Sequence, residues 1–273
     1  MEEIYNQFSK EYNDLFLQNI KEFHNKCKMA NLLDNEFALF YPSFGIKKND
    51  TCDFLILGQA VNGWSPSVYI DNESLEDTLL QCAIEYSNCF CKTENHTPLD
   101  WVNVRWSKST LQKNLKNKLK SEFYNEEDNN YYIYKSFFWN VTYKLISSYY
   151  KFDPNSMDWS KKLVWSNLYK IAPVSGNPSE YEKELQQDLS IKLLKKEIEE
   201  LKPKFCIVLT NDSWWKPFQS KLNISKLHFD SNLTEIVFHE KYMDTRIIVT
   251  TRPFIGSSEK HVNQILQLIN TNV

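Results

Sequence analysis

The chain has 273 residues, 42% hydrophobic and 25% charged, with a formal net charge of −3 at pH 7. Only 5 Gly and 9 Pro exclude collagen-like, low-complexity and disordered classes, and the slight negative charge argues against indiscriminate binding to nucleic acid. A chain of this length buries a full core as one large domain, without staples.

Residues 4–33 carry Ile4, Phe8, Leu15, Phe16, Ile20 and Phe23 at roughly helical spacing, which predicts a helix. The start is charged and amphipathic with no signal-peptide core, and no apolar run approaches the roughly 18 residues of a membrane span. The expectation is a cytoplasmic protein without a membrane partner. Cys52-Asp-Phe-Leu-Ile-Leu-Gly58 reads as a buried strand running into a loop, with Asn62-Gly63 as a turn signal. Residues 73–90 and 107–121 read as helices, 125–130 as an acidic surface loop, and 131–150 as an aromatic helix burying one face. From Trp101 to Ser121 the chain has Arg105, Lys108, Lys113, Lys116, Lys118 and Lys120, no acid, and Trp101 and Trp106 interleaved. Such a segment fits a phosphate-facing surface, but taken on its own it reads first as a solvated helix face.

Residues 163–171 predict a second strand, leading into Ala172-Pro-Val-Ser-Gly-Asn-Pro-Ser179. Ser179 followed by Glu182 is a capping box, so a helix starts there; Lys202-Pro203 stops it. Strand 205–210, a Trp214-Trp215 helix, strands 235–239 and 246–251, the loop Arg252-Pro-Phe-Ile-Gly-Ser-Ser258 and a helix over 261–269 complete the chain. The six cysteines (Cys27, Cys52, Cys82, Cys89, Cys91, Cys206) read as reduced thiols. Cys89-x-Cys91 lacks a second pair at zinc spacing, so no metal or cofactor is expected.

Strands alternate with helices and no linker divides them. The expected fold is α/β, a three-layer α/β/α domain over 1–273 with a central, mainly parallel four-stranded sheet, residues 1–50 being a helical extension packed on it. In such a sheet the site lies at the carboxyl ends of the strands. Four loops converge there, at 58–64, 171–179, 210–214 and 252–258.

Those loops, in that order, resemble the uracil-DNA glycosylase superfamily. Trp165-Ser-Asn-Leu-Tyr-Lys-Ile-Ala-Pro-Val-Ser-Gly-Asn-Pro178, the capped helix, and Leu201-Lys-Pro-Lys-Phe-Cys-Ile-Val-Leu-Thr210 resemble the segment of the iron–sulfur-type enzymes that reads Thr-Asn-x-x-Lys, Pro, Gly-Asn, a Pro-started helix and Pro-Lys before an apolar strand. Gly58-Gln59 resembles the superfamily's first motif, and Thr251-Arg252-Pro253 stands where its His-Pro loop does. The resemblance covers residues 52–270. The chain departs from it at Ala60, where the best-known members have Asp, at Gln59, where others have Glu, and at Arg252, which replaces His. The cluster cysteines are missing, with Gln186-Gln187-Asp188 in the later ligand region, so no cluster is expected.

What the resemblance implies is base excision from DNA by a monomer, with no cofactor. The nucleotide is flipped out, its base held by the edge, and the departing anion stabilised. By resemblance Asn167 reads the base edge, beside Gly58, while Trp64 is a candidate for stacking; the alternatives are an Asn satisfying loop backbone and a core Trp. Gln59 and Asn62 can orient a water, and Asn62-Gly63 is equally a plain turn. Arg252 can pair with a phosphate or the leaving base. Lys170, Ser175, Asn177, Ser257, Ser258, Arg105 and Lys108 are the expected DNA contacts, the two serines because they open a helix. The expected function is a monofunctional DNA glycosylase acting on a damaged or modified base, in repair or phage defence. The alternative is a catalytically inactive DNA- or nucleotide-binding module, favoured by Gln59, Ala60 and Arg252; a free-nucleoside hydrolase is a third reading.

Overall fold

A computed structural model describes residues 8–32, 36–47, 50–60, 64, 67–69, 76–88, 97–105, 136–153, 156, 158–254 and 256–271. In chain order these form helix α1 (Lys10–Met29), strands β1 (Glu36–Leu39), β2 (Ser43–Phe44), β3 (Phe54–Gly58) and β4 (Ser67–Tyr69), then helices α2 (Glu76–Asn88), α3 (Asp100–Arg105) and α4 (Phe137–Tyr150). A 3-10 turn (Asp158–Lys162) leads to β5 (Leu163–Asn167), β6 (Ile171–Pro173), α5 (Glu180–Leu201), β7 (Phe205–Val208) and α6 (Asp212–Gln219). The chain ends with β8 (Ser225–Lys226), β9 (Ile236–Tyr242), β10 (Thr245–Thr250) and α7 (Ser258–Asn270).

The main sheet is wider than the four strands expected. Seven strands lie in the order β2-β5-β3-β7-β10-β9-β8. The middle four, β5-β3-β7-β10, are mutually parallel, and β2, β9 and β8 add antiparallel edges. Each parallel strand is a short apolar run, as a strand covered on both faces must be. Side chains alternate between two cores. Leu55, Leu57, Val164, Cys206, Val208, Ile247 and Val249 join residues of α1, α5 and α6. Phe54, Ile56, Leu163, Trp165, Phe205, Ile207 and Ile248 join residues of α3, α4 and α7 on the opposite face. The result is a mixed α/β fold with helices on both faces of a mostly parallel sheet.

The expected strand 163–171 divides in two. Leu168 and Tyr169 N–H still bond to the carbonyls of Gly58 and Gln59, but the chain then leaves the main sheet. Ile171–Pro173 pairs with β1 in a separate antiparallel sheet of order β4-β1-β6. Residues 1–50 are accordingly not only helical, because β1 belongs to this small sheet and β2 pairs with β5. Helix α1 lies antiparallel along α5: Ser9 N–H bonds to Glu200, Tyr12 to Glu197, and Lys26 to the Leu185 carbonyl. Its buried Tyr12, Phe16, Ile20, Phe23 and Cys27 form the stripe that spacing implied. The Ser179–Glu182 capping box is present at the start of α5. Among the described residues no helix is long and apolar enough to cross a membrane.

Candidate functional site

The parallel strands end together. Gly58 stands beside Asn167, and Leu57 and Val249 both align with Val208. The geometry is tightest around Gly58. A β-carbon placed there would lie 2.4 Å from Asn167 Oδ1 and 3.6 Å from Phe138 Cε2. The missing side chain thus lets a strand-end amide and an aromatic ring from α4 meet over bare backbone, the use of glycine where something must approach the main chain closely.

Asn167 is 2% exposed, and its Nδ2 has no hydrogen-bond partner. A buried amide donor left unmade costs about 1–3 kcal/mol, which a ligand's acceptor would recover. Its backbone is held on both sides: Leu168 N–H bonds to Gly58 O at 3.0 Å, and Lys170 Nζ donates to Asn167 O at 2.6 Å. The strand end that carries the amide is therefore fixed. Phe138 is half-buried and packs near Trp165. Sequence reasoning placed it on an aromatic helix with no role; nothing local marks which ring of 131–150 reaches the strand ends.

Gln59 is half-buried, with Nε2 at 3.5 Å from Thr210 O, a long contact tying the first loop to the third. In that third loop Asn211 has φ 127°, a strained conformation for a residue with a side chain, and its Oδ1 caps α6 by accepting from Trp214 N–H. The fourth loop, 251–257, is anchored at both ends by His261. Its Nε2 lies 3.0 Å from Thr251 O and its Nδ1 2.9 Å from Ser257 O. Thr251 Oγ1 donates to Glu235, which also pairs with Lys260 at 2.8 Å. Burial pushes the Glu235 carboxyl up, but the bonds from Lys260 and Thr251 outweigh it and hold the group below its ordinary value. Arg252 and Phe254, 59% exposed, project from this anchored loop.

Two expectations are corrected, and a third residue is placed. Lys170 cannot contact DNA, because it is 1% exposed and its ammonium bonds Ser166 Oγ, Asn167 O and Glu197 inside the protein. Burial pushes that ammonium below its ordinary value, against the pull of Glu197. Ser257 is buried, its hydroxyl accepting from Phe254 N–H and donating to Phe254 O; it closes the turn and offers nothing outward. Trp64 is half-buried in a ring wall, with Tyr86, Phe40 and Trp165 edge-on at 5.1, 5.5 and 5.2 Å, so its packing is that of an aromatic core.

Ser175, Asn177 and Arg252 are exposed on the loops where they were expected. Ser258 lines an open hollow of about 270 Å³ with Phe137, Asn140, Lys144, Gly256 and Glu259. Asn62, Lys108 and the side chain of Arg105 lie outside the described residues, as do Cys89 and Cys91. Among the described residues no group of three or more His, Cys, Asp or Glu is placed to hold a metal ion. Gln186 grips the main chain, with Ile171 N–H to Oε1 at 3.2 Å and Nε2 to Ile171 O at 2.7 Å.

Compared with models of known protein families the chain matches none, and it matches no curated protein.

Proposed function

We propose that the chain is a divergent member of the uracil-DNA glycosylase superfamily that binds DNA, flips out a damaged or modified base and hydrolyses its N-glycosidic bond. The observation that carries this reading is the buried Asn167 amide, its Nδ2 unpartnered, beside the bare backbone of Gly58, which a ring of α4, Phe138, also approaches. A planar heterocycle supplies what this place lacks, an edge to pair with the amide and a face to lie on the ring. The parallel strands β3, β7 and β10 lead into the first, third and fourth loops at one end of the sheet, while the second loop follows β6 of the small sheet. Arg252, Ser175 and Asn177 are exposed on those loops, fitted to phosphate. Exposed Phe254, beside Arg252, has the character of an apolar wedge that holds a helix open while a nucleotide is out of the stack.

Hydrolysis of the bond develops positive charge on the sugar and negative charge on the leaving base. Arg252, always charged, stabilises the latter, and the amides of Asn62 and Gln59 orient the attacking water. DNA phosphates themselves stabilise the sugar cation. Ala60 and Gln59 remove the carboxylates familiar from the superfamily, so the substrate proposed is a base other than plain uracil.

A second reading is a binding module without catalysis. It is favoured by Gln59, whose amide leans on the Thr210 carbonyl, while among the described residues no carboxylate bonds to Gln59 or to the Asn167 side chain. Oligonucleotides carrying a panel of damaged and hypermodified bases, incubated with the protein and treated with alkali, separate the two. Cleavage at one lesion, abolished by Asn167→Ala, supports the enzyme. Binding without cleavage across the panel supports the module, and neither binding nor cleavage overturns both.

A further inference from the structure

The core contains a pair of charges that packing alone does not require. Lys170 and Glu197 are both 0% exposed, with Nζ to Oε1 at 2.6 Å. Burying two charges is penalised by lost hydration, and an apolar pair of like volume commonly fills such a space without loss of stability. What an apolar pair cannot do is donate. The ammonium has three protons, and they meet three acceptors: Glu197 Oε1, Ser166 Oγ at 2.5 Å and Asn167 O at 2.6 Å. Two of those acceptors belong to the last two residues of β5, the second being the residue whose side chain faces the site.

The chain of contacts continues outward. Glu197 Oε1 also accepts from Tyr12 OH at 2.8 Å, so helix α1 is joined to the same network. On the other side of Asn167, Leu168 N–H is bonded to Gly58 O. The carbonyl of Asn167 and the amide that follows it are thus both fixed, by charge on one side and by the sheet on the other. A peptide fixed at both atoms sets the direction of the Asn167 Cα–Cβ bond, and an amide that must present an open donor in a buried place needs that direction held.

We infer that Tyr12, Glu197 and Lys170 form a positioning relay that holds Asn167 in its base-reading orientation, so that α1 is a working part of the site. The assignment of base reading rests on the function proposed above; the mechanical claim, that the relay sets the Asn167 side chain, stands on these contacts. None of the three residues touches the substrate. Glu197 maintains the charge of Lys170, Lys170 orients the Asn167 peptide, and Tyr12 fixes the carboxylate.

The test uses the full chain, ¹⁵N-labelled, with the Asn167 side-chain amide pair assigned by its loss in Asn167→Asp. The double variant Lys170→Met/Glu197→Leu replaces the ion pair by apolar groups and is expected to unfold within a few degrees of the parent. Its Asn167 pair is expected to be displaced or broadened even so, and Tyr12→Phe to displace the same pair less. Should Lys170→Met alone fail to fold, the double variant decides. If the Asn167 pair of a double variant of parental stability superposes on that of the parent, the relay is structural only and the inference falls. Affinity for the lesion-bearing oligonucleotide of the panel that the parent binds best is measured beside it, with a loss of about tenfold expected in the double variant. If the parent binds no DNA, the proposed function falls while the amide signal still decides the relay.

Discussion

Two glycines show how differently the same substitution acts. At Gly45 a β-carbon would lie 1.6 Å from the backbone oxygen of Ser160, an obstacle that cannot swing aside. Gly45→Ala is expected to cost about 3 kcal/mol or more in urea unfolding. At Gly58 the obstacle is the Asn167 side chain, which can rotate, so Gly58→Ala is expected to lower stability less but to abolish binding of the lesion-bearing oligonucleotide that the parent binds best. Equal loss of stability in both variants, with binding intact in Gly58→Ala, would show that the strand-end amide is not the binding group. His239 offers a pH handle. It is buried, with Nδ1 toward His228 O at 3.4 Å and Nε2 facing Arg246 Nη2 at 3.3 Å. Arginine only donates, so Nε2 accepts and the ring is neutral. Burial, then the Arg246 charge, pushes its pKa below 6.5. Since the unfolded chain takes up the proton first, this contribution is complete above pH 6.5 and is lost as pH falls from there toward the folded value. Between pH 7.5 and 5.5 the parent should lose more stability than His239→Gln, which does not titrate. Parallel losses would remove His239 from the account.

Among the elements, α5 braces the site from below. Its capping box sets where it starts, directly after the exposed Ser175–Asn177 turn. Its inner face supplies Gln186 to the main chain of Ile171 and Glu197 to Lys170. A side-chain amide here does the work of a neighbouring strand, satisfying both polar groups of one residue just where the chain passes from the main sheet into the small one. Gln186→Ala leaves them buried without this partner and is expected to cost about 1–3 kcal/mol. Hydrogen exchange is expected to be faster at Ile171 specifically. Unchanged exchange at Ile171 would mean that β1 alone holds that segment.

At the scale of the whole molecule, residues 8–47 are not a detachable extension. Tyr12, Phe16, Phe37, Tyr41 and Phe44 are all buried in one core with Leu55, Val164 and Cys206 of the parallel strands. Burial of an aromatic side chain stabilises by about 1.5–3 kcal/mol, so removing several together exceeds the whole stability of an ordinary domain. A chain beginning at residue 48 is expected to lose cooperative thermal unfolding and near-ultraviolet circular dichroism. A truncated chain that keeps both would return the N-terminal segment to the status of an accessory.

The sequence by itself determined the alternation of apolar strands and amphipathic helices and the capped helix over 180–201. Each of these is written locally, in the residues that a segment buries or in a cap a few residues long. Asn167 could be singled out from its motif and position. Only the tertiary structure decided who stands opposite whom. Lys170 reads in sequence as a cation free for phosphate, and the partner that buries it, Glu197, comes from a distant helix. Phe138 gains its place at Gly58 because α4 packs across the sheet, and Trp64 meets Phe40, Tyr86 and Trp165 edge-on only through the fold. The two-residue strands β2 and β8 have too few side chains to show a period and exist through the ladders they join. Local pattern records what a segment buries; the crossing of chains in space decides against which partner, and a site is made of partners.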